Sequence, residues 1–347
     1  MMQRLIETGK FLEISRHQPE LLQNVPPFTL ANKTHILVVA PGIIQITPPK
    51  DESVSLKHIV LSCGVHGNET APIEICDELV ERILTGQLVL KHRVLFLFGN
   101  LAAMDIAERF VEENMNRLFS GAHSEGEGLI NDERKRAKLL EDAITAFFAD
   151  AAQSETRIHY DLHTAIRASK NEKFAVYPYL HERKHSQSQL AFMAACGVKT
   201  ILLSESPTTT FSYYSSHVHN AHAFTVELGR VKPFGQNDMS RFEEAKTSLI
   251  KLISESDFSP EYREEDMLIY RVNQVINREH ENFHLHFDDD TPNFTDYAKG
   301  TVLASEPNKT YKAEMDGEAI VFPNAKVAIG QRALLTVVPT KLETLDV

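Results

Sequence analysis

The sequence predicts an α/β protein, a mixed sheet flanked by helices, followed by a small and mostly β C-terminal domain. Two patterns carry that reading. Between about residues 35 and 255, short and nearly continuous apolar runs alternate with longer segments whose apolar residues recur at the helical period. After about residue 257 the helical period disappears, and short β-rich runs separated by turn residues take over. The chain is therefore read as two units, 1–255 and 256–347.

Residues 35–40 (HILVVA), 58–63 (HIVLSC) and 93–98 (RVLFLF) are bounded by Gly, Asn or Pro and predict strands buried on both faces. Residues 70–84 follow, with Ile73, Cys76, Val80, Ile83 and Leu84 at helical spacing. The Gly-rich stretch 120–130 reads as a surface loop. Residues 132–149 predict a helix with Leu140, Ile144, Phe147 and Phe148 on one stripe and a basic opening, ERKRAK, facing solvent. Residues 158–162, 174–177, 200–203 and 223–228 are further strands, and 240–253 a third helix. Beyond them MLIYRVNQVI, FHLHF, GTVLAS, EAIVFP and ALLTVVP are β-like, with turns at 288–290, 307–308, 316–317 and 323–324.

Composition narrows the function classes. The formal net charge is −12, from 48 Asp and Glu against 36 Lys and Arg, which argues against a nucleic-acid-binding surface. The same balance repels a polyanionic small molecule at long range. No apolar run approaches the roughly 20 residues needed to cross a bilayer, so no membrane partner is expected. The amino terminus lacks the basic-then-apolar order of a secretion signal. Cys63, Cys76 and Cys196 are odd in number and widely spaced, which fits a reducing cytoplasm better than a disulfide framework.

The chemistry concentrates at a few strand ends. Gly64-Val65-His66-Gly67-Asn68-Glu69 lies between a predicted strand and a predicted helix. Imidazole and carboxylate are both good zinc ligands, and flanking glycines let the backbone bend far enough to aim His66 and Glu69 at one ion. Alone, the pair reads better as a loop histidine and a glutamate favoured at a helix N-terminus. A catalytic zinc site needs a third protein ligand. His163, in Asp161-Leu162-His163-Thr164 at another strand end, is a candidate, with Asp161 as an acceptor for its ring. Ligands from separate strand ends meet at one edge of such a sheet.

Glu227, in Phe224-Thr225-Val226-Glu227-Leu228-Gly229, is a carboxylate among apolar neighbours. Burying it is costly unless it is paired, for instance with Arg230, or used to carry a proton. Arg109 and the run Asn114-Met115-Asn116-Arg117 supply guanidinium forks and amides suited to carboxylates. With 16 histidines in the chain, the groupings His217, His219, His222 and His284, His286 are expected by chance. The 288–290 acidic run lacks the alternating ligands and glycine of a calcium loop.

In that order, GVHGNETAPIE, GNLAAMDIAERFVEENMNRLF, DLHTAIR and FTVELGR resemble the zinc carboxypeptidase superfamily, and more narrowly its desuccinylase/aspartoacylase branch. The resemblance covers roughly residues 35–255, and a trailing β domain is also a feature of that branch. Leu101 after Asn100 departs from the Gly-Asn-Pro phrase common there, which loosens a turn but removes no chemical group. The resemblance implies a zinc-carboxypeptidase-like fold and one Zn2+ per subunit held by His66, Glu69 and His163. It implies Glu227 as the catalytic carboxylate and Arg109, Asn116 and Arg117 as contacts to the substrate's carboxylate and carbonyl groups. Arg167, four positions past His163, is a further candidate for a carboxylate. The implied substrate is a small acidic acyl-amino acid. The implied reaction is hydrolysis of N-succinyl-L-glutamate to succinate and L-glutamate, the last step of arginine degradation via succinylated intermediates. An aspartoacylase-type deacylase acting on another N-acyl amino acid, a peptide carboxypeptidase and a non-catalytic metal-binding protein are the competing readings. Glu227 standing beside all three candidate ligands speaks against the last of these.

Overall fold

Strands covered on both faces need no polar alternation, and the continuous apolar runs form the middle of one large sheet. The computed structural model describes residues 1–342, 345 and 346. Among them thirteen strands join a single mixed sheet. In chain order these are β1 (Phe28–Thr29), β2 (His35–Ala40), β3 (Ile43–Thr47), β4 (Lys57–Cys63), β5 (Arg93–Phe98), β6 (Thr156–Ala165) and β7 (Phe174–Tyr177). Then follow β8 (Thr200–Leu203), β9 (His222–Arg230), β10 (Leu268–Asn277), β11 (Thr295–Tyr297), β12 (Glu318–Val321) and β13 (Arg332–Pro339). Across the sheet the order is β1-β2-β3-β5-β4-β6-β9-β7-β8-β10-β13-β12-β11.

Strands β5, β4, β6 and β9 are mutually parallel, so their C-terminal ends share one edge. The helices are α1 (Met2–Thr8), α2 (Phe11–His17), α3 (Thr70–Leu84), α4 (Leu101–Asp105), α5 (Asp132–Ala149), α6 (Gln187–Ala195), α7 (Phe211–His219) and α8 (Glu243–Ser254). Side chains alternate across a strand: from β4, Ile59, Leu61 and Cys63 pack with α3, α6 and α8, whereas Val60 packs with α5 and α7. The result is a three-layer α/β arrangement. No helix of the described residues is long and apolar enough to cross a membrane. Cys63, Cys76 and Cys196 are free and buried.

Three expectations need correcting. Residues 35–40 form a strand, but Ile36 and Val38 are buried while His35 and Val39 are exposed. The reason is position: β2 lies antiparallel between β3 and the two-residue β1 near the sheet's edge. The ERKRAK opening is not a solvated face. Glu133 is buried, and Arg136 donates from Nε, Nη1 and Nη2 to the carbonyls of Gly99, Pro41 and Phe98 at 2.8, 2.9 and 2.7 Å. Those carbonyls emerge where β5 and the turn before β3 end, and buried carbonyls need donors. Finally, α1, α2, α4, α6, α7 and β3 were not anticipated. In α7 the buried face includes Ser212, Ser215 and Ser216, so no apolar stripe advertises it.

The C-terminal segment does not stand apart from the first sheet. β10 pairs in parallel with β8, from Leu268 opposite Thr200 to Arg271 opposite Leu203. β13 then pairs antiparallel with β10. A smaller sheet of residues His284–Leu285, Val302–Glu306 and Lys309–Lys312 completes this part of the chain.

Candidate metal centre and active site

The turn after β4 sets the geometry. Gly64 has φ 64°, a left-handed conformation natural to glycine. A Cβ on Gly67 would lie 2.2 Å from the Ala103 carbonyl carbon, so only glycine lets these two backbones pass. The turn therefore presses against α4 and delivers His66 and Glu69 to the sheet edge, where β6 ends with His163. His66, Glu69 and His163 are all buried, and one ligand atom from each lies within 4.8 Å of the others.

Their orientations suit a cation. Glu69 Oε1 lies 2.8 Å from His66 Nδ1, and Glu69 Oε2 lies 2.8 Å from His163 Nδ1. The far side of each ring is already engaged: His163 Nε2 faces Asp161 Oδ2 at 2.8 Å, and His66 Nε2 faces Asn114 Oδ1 at 3.0 Å. Acceptors behind both rings place a ring proton on each Nε2, so that Nδ1 is the atom each ring turns toward an ion. Among the described residues His66 Nδ1, though buried, has no hydrogen-bond partner, since the nearby Glu69 Oε1 is itself an acceptor. The donor set of two imidazoles and a carboxylate thus fits a zinc-type ion.

Charge reinforces the arrangement. Burial and then the charge of Arg109 push His66 down to about 4, so its ring is neutral near pH 7. Burial alone raises Glu69, but His66, His163 and Arg109 outweigh it and hold that carboxyl well below the usual range. His163 is raised despite burial, because Asp161 and Glu69 both favour its protonated form. A metal ion entering here displaces that proton.

Glu227 sits opposite His163 in the parallel pairing of β9 with β6. Its Oε2 is buried and unpartnered among the described residues, and the alternative ion pair with Arg230 is not made; Arg230 is exposed. Burial first, and then Glu69, push the Glu227 carboxyl up to about 7. One cleft of about 290 Å³ is lined by His66, Glu69, His163 and Glu227 together with Arg109, Asn116, Arg117 and Arg167.

The arginines differ in what already holds them. Arg109 donates to Glu69 Oε1 at 2.6 Å. Arg167 donates to the carbonyls of Thr291 and Pro323, at 2.9 and 3.4 Å, and so ties the loop after β6 to the C-terminal segment. Among the described residues the Arg117 side chain donates only to its neighbour Asn116's carbonyl, at 2.9 Å. Asn116 Oδ1 accepts the Phe211 N–H at 3.1 Å, capping the start of α7. Sequence reasoning missed three contributors. Asn114 had a signal in the Asn-x-Asn-Arg run; Glu133 lay hidden in a charged run. Arg332, at the start of β13, lines the same cleft and had no local signal.

Comparison with known proteins agrees with this geometry. The profile of the succinylglutamate desuccinylase/aspartoacylase catalytic domain matches residues 55–253, and that of the AstE/AspA barrel-sandwich hybrid domain matches 265–340. The chain belongs to this family. A succinylglutamate desuccinylase of Pseudoalteromonas atlantica is 56% identical over 345 residues, 99% of this chain and 98% of that one. Among solved structures, the succinylglutamate desuccinylase of Vibrio parahaemolyticus superposes with a TM-score of 0.85 at 35% identity, covering 95% of each chain. That of Chromobacterium violaceum gives 0.83 at 37% identity, covering 96% of this chain and 99% of its own. This chain thus has the family's fold, a helix-flanked mixed sheet extended by a β-rich C-terminal part, and its own cleft is lined by residues of both.

Proposed function

We propose that this chain hydrolyses the amide of N-succinyl-L-glutamate, giving succinate and L-glutamate, as the last step of arginine degradation via succinylated intermediates in the cytoplasm. The observation that carries the reading is the meeting, in one buried cleft, of a two-His, one-Glu cluster, an unpartnered carboxylate and several arginines. Full-length identity to proteins named for that activity supports it. The division we propose is a zinc-dependent amidohydrolase domain over 1–255 and a β-rich domain over 256–347, in line with the spans of the two family profiles.

His66, Glu69 and His163 would hold one Zn2+. When bound, zinc lowers the pKa of water and polarises a carbonyl. Glu227 takes the proton that the attacking water gives up, at its unpartnered Oε2, and returns it to the amide nitrogen as the C–N bond breaks. Its elevated pKa suits both halves of that task, since a proton carrier works best with a pKa near the working pH. Asp161 holds the His163 ring against rotation. Arg109 keeps the Glu69 carboxylate oriented, and Arg117 with the Asn116 amide receives an acidic group of the substrate. Both cations are half-buried in the cleft, so a contact with a carboxylate there is screened less than on the open surface.

An amidase panel tests the reading. Zinc-loaded protein is expected to cleave N-succinyl-L-glutamate with kcat/KM at least about tenfold above N-acetyl-L-aspartate, and to leave short peptides intact. Preference for acetyl-aspartate moves the assignment to the aspartoacylase type. Zinc uptake without turnover of any acyl-amino acid leaves a metal-binding protein.

A further inference from the structure

The cleft's fourth arginine comes from the other half of the chain. Arg332 is half-buried at the start of β13, where it lines the cleft with Arg117, Glu227 and the ligand cluster. Its Nε is sealed from solvent with no hydrogen-bond partner, and no carboxylate among the described residues forms an ion pair with the side chain. Burial first, and then the charge of Arg117, push it down to about 9, so the two cations bear on one another within the cleft. Like charges held together and partly buried are costly unless an acceptor meets them.

The support beneath Arg332 is elaborate. Its guanidinium lies over the ring of Phe322, with Cζ 5.5 Å from the ring centroid. Phe322 has φ 53°, an outlier for an aromatic residue, and its N–H is fixed by Asn293 Oδ1 at 2.9 Å. Asn293 is buried, and its backbone bonds to Ala168 and Lys170 in the loop after β6. The strand that carries Arg332 is tied through β10 to β8 of the catalytic sheet. Strain, an aromatic platform and a cross-chain clamp therefore all fix where this charge sits. Of the four cleft arginines, Arg109 is engaged by Glu69 and Arg167 by main-chain carbonyls, which leaves Arg117 and Arg332 to receive a ligand.

We propose that Arg332 is a specificity-determining residue: delivered from the C-terminal domain, it takes one carboxylate of the acyl-amino acid while Arg117 takes another. This inference rests on the functional reading above. It explains why a substrate with three carboxylates is accepted by a protein of net charge −12, and it makes recognition a joint act of both halves of the chain.

The test compares wild type with Arg332→Gln and Arg332→Lys on four substrates. These are N-succinyl-L-glutamate and three analogues that each lack one carboxylate: N-acetyl-L-glutamate, N-succinyl-L-glutamine and 4-(succinylamino)butanoate. On the parent substrate, Arg332→Gln is expected to raise KM about 10- to 100-fold with kcat changed far less, because a charge-assisted contact to a carboxylate is lost. Arg332→Lys recovers part of that loss. The decisive readout is the pattern: the penalty in kcat/KM collapses for the one analogue that already lacks the carboxylate Arg332 holds. A KM within about twofold of wild type, or an equal penalty on all four substrates, overturns the proposal; a uniform penalty is what a general loss of charge or of structure gives. Metal content and melting temperature of both variants identify a folding failure, and in that case the Lys variant alone decides. Wild type that cleaves none of the four removes the functional reading itself, whereas active wild type with an indifferent Arg332 removes only this inference.

Discussion

Glu227 is a carboxyl buried beside another carboxylate, and its protonation couples stability to function. Burial and then Glu69 push it from an ordinary 4.5 to about 7. Between those values the folded, metal-free protein binds a proton that the unfolded chain has released. Stability therefore falls as pH rises through that window, and above it the buried charge costs up to about 3 kcal/mol. Glu227→Gln removes the cost. After chelation, the variant is expected to melt above wild type at pH 8, with the gap closing as pH approaches 5; thermal scans that coincide at both pH values would contradict it. The same variant should retain metal yet lose about 10²- to 10⁴-fold in turnover, checked by initial rates beside metal analysis. A bound cation favours the carboxylate form. The acid limb of the wild-type kcat/KM profile is thus expected at or below about pH 7 and absent in the variant.

The loop between α4 and α5 shows how an element is held by a residue that looks like surface. Glu133, in the first turn of α5, accepts the backbone N–H groups of Val111, Glu112 and Glu113 at 2.6–2.8 Å and the Asn100 side-chain amide at 2.8 Å. That loop carries Arg109, Asn114, Asn116 and Arg117, so Glu133 positions them without touching substrate. Glu133→Ala is expected to cost about 1–3 kcal/mol in urea unfolding and to raise KM with metal content unchanged; a stability loss with unaltered KM would confine it to a structural role. The same contrast explains what the sequence reveals. β4, β5, β6 and β9 were legible because burial on both faces leaves continuous apolar runs, and α3, α5 and α8 because each turns a single apolar stripe to the core on its side of the sheet. Helix α7 was not, since its buried Ser212 and Ser215 are satisfied by Thr225 and His159, at 2.7 Å each, rather than by apolar packing. His66 and Glu69 were legible because one turn brings them together, and His163 and Glu227 because strand ends share an edge. The Asn-x-Asn-Arg run points to Asn114 but not to its partner His66, and the settings of Glu133 and Arg332 depend on chain segments far away in sequence that no local pattern encodes.

For the whole molecule, charge and cooperativity both follow from how its halves meet. A net charge of −12 disfavours a polyanion at a distance, yet the cleft is lined by four arginines against two glutamates. Screening confines the overall field to about a Debye length, roughly 8 Å at physiological salt, so short-range contacts inside the cleft govern capture. Those contacts come from both halves, and so does the packing around them. Phe174 of β7 and Leu202 of β8 share one core with Phe294, Val321, Leu335 and Val337 from the C-terminal part of the chain. Lys170 bonds Asp296 at 2.9 Å, and Arg167 bonds the Thr291 carbonyl at 2.9 Å. Releasing β10 from β8 would expose that core, open a sheet edge and undo the cleft in one step, each change making the next easier. The two halves are therefore expected to unfold as one unit. Calorimetry of the chelated protein should give a single transition with a calorimetric to van't Hoff enthalpy ratio of about 1, and loss of intrinsic tyrosine fluorescence should coincide with loss of far-ultraviolet dichroism. Two resolved transitions would mean that the β8–β10 junction is a hinge between independent domains, and Arg332 would then reach the substrate only when that hinge is closed.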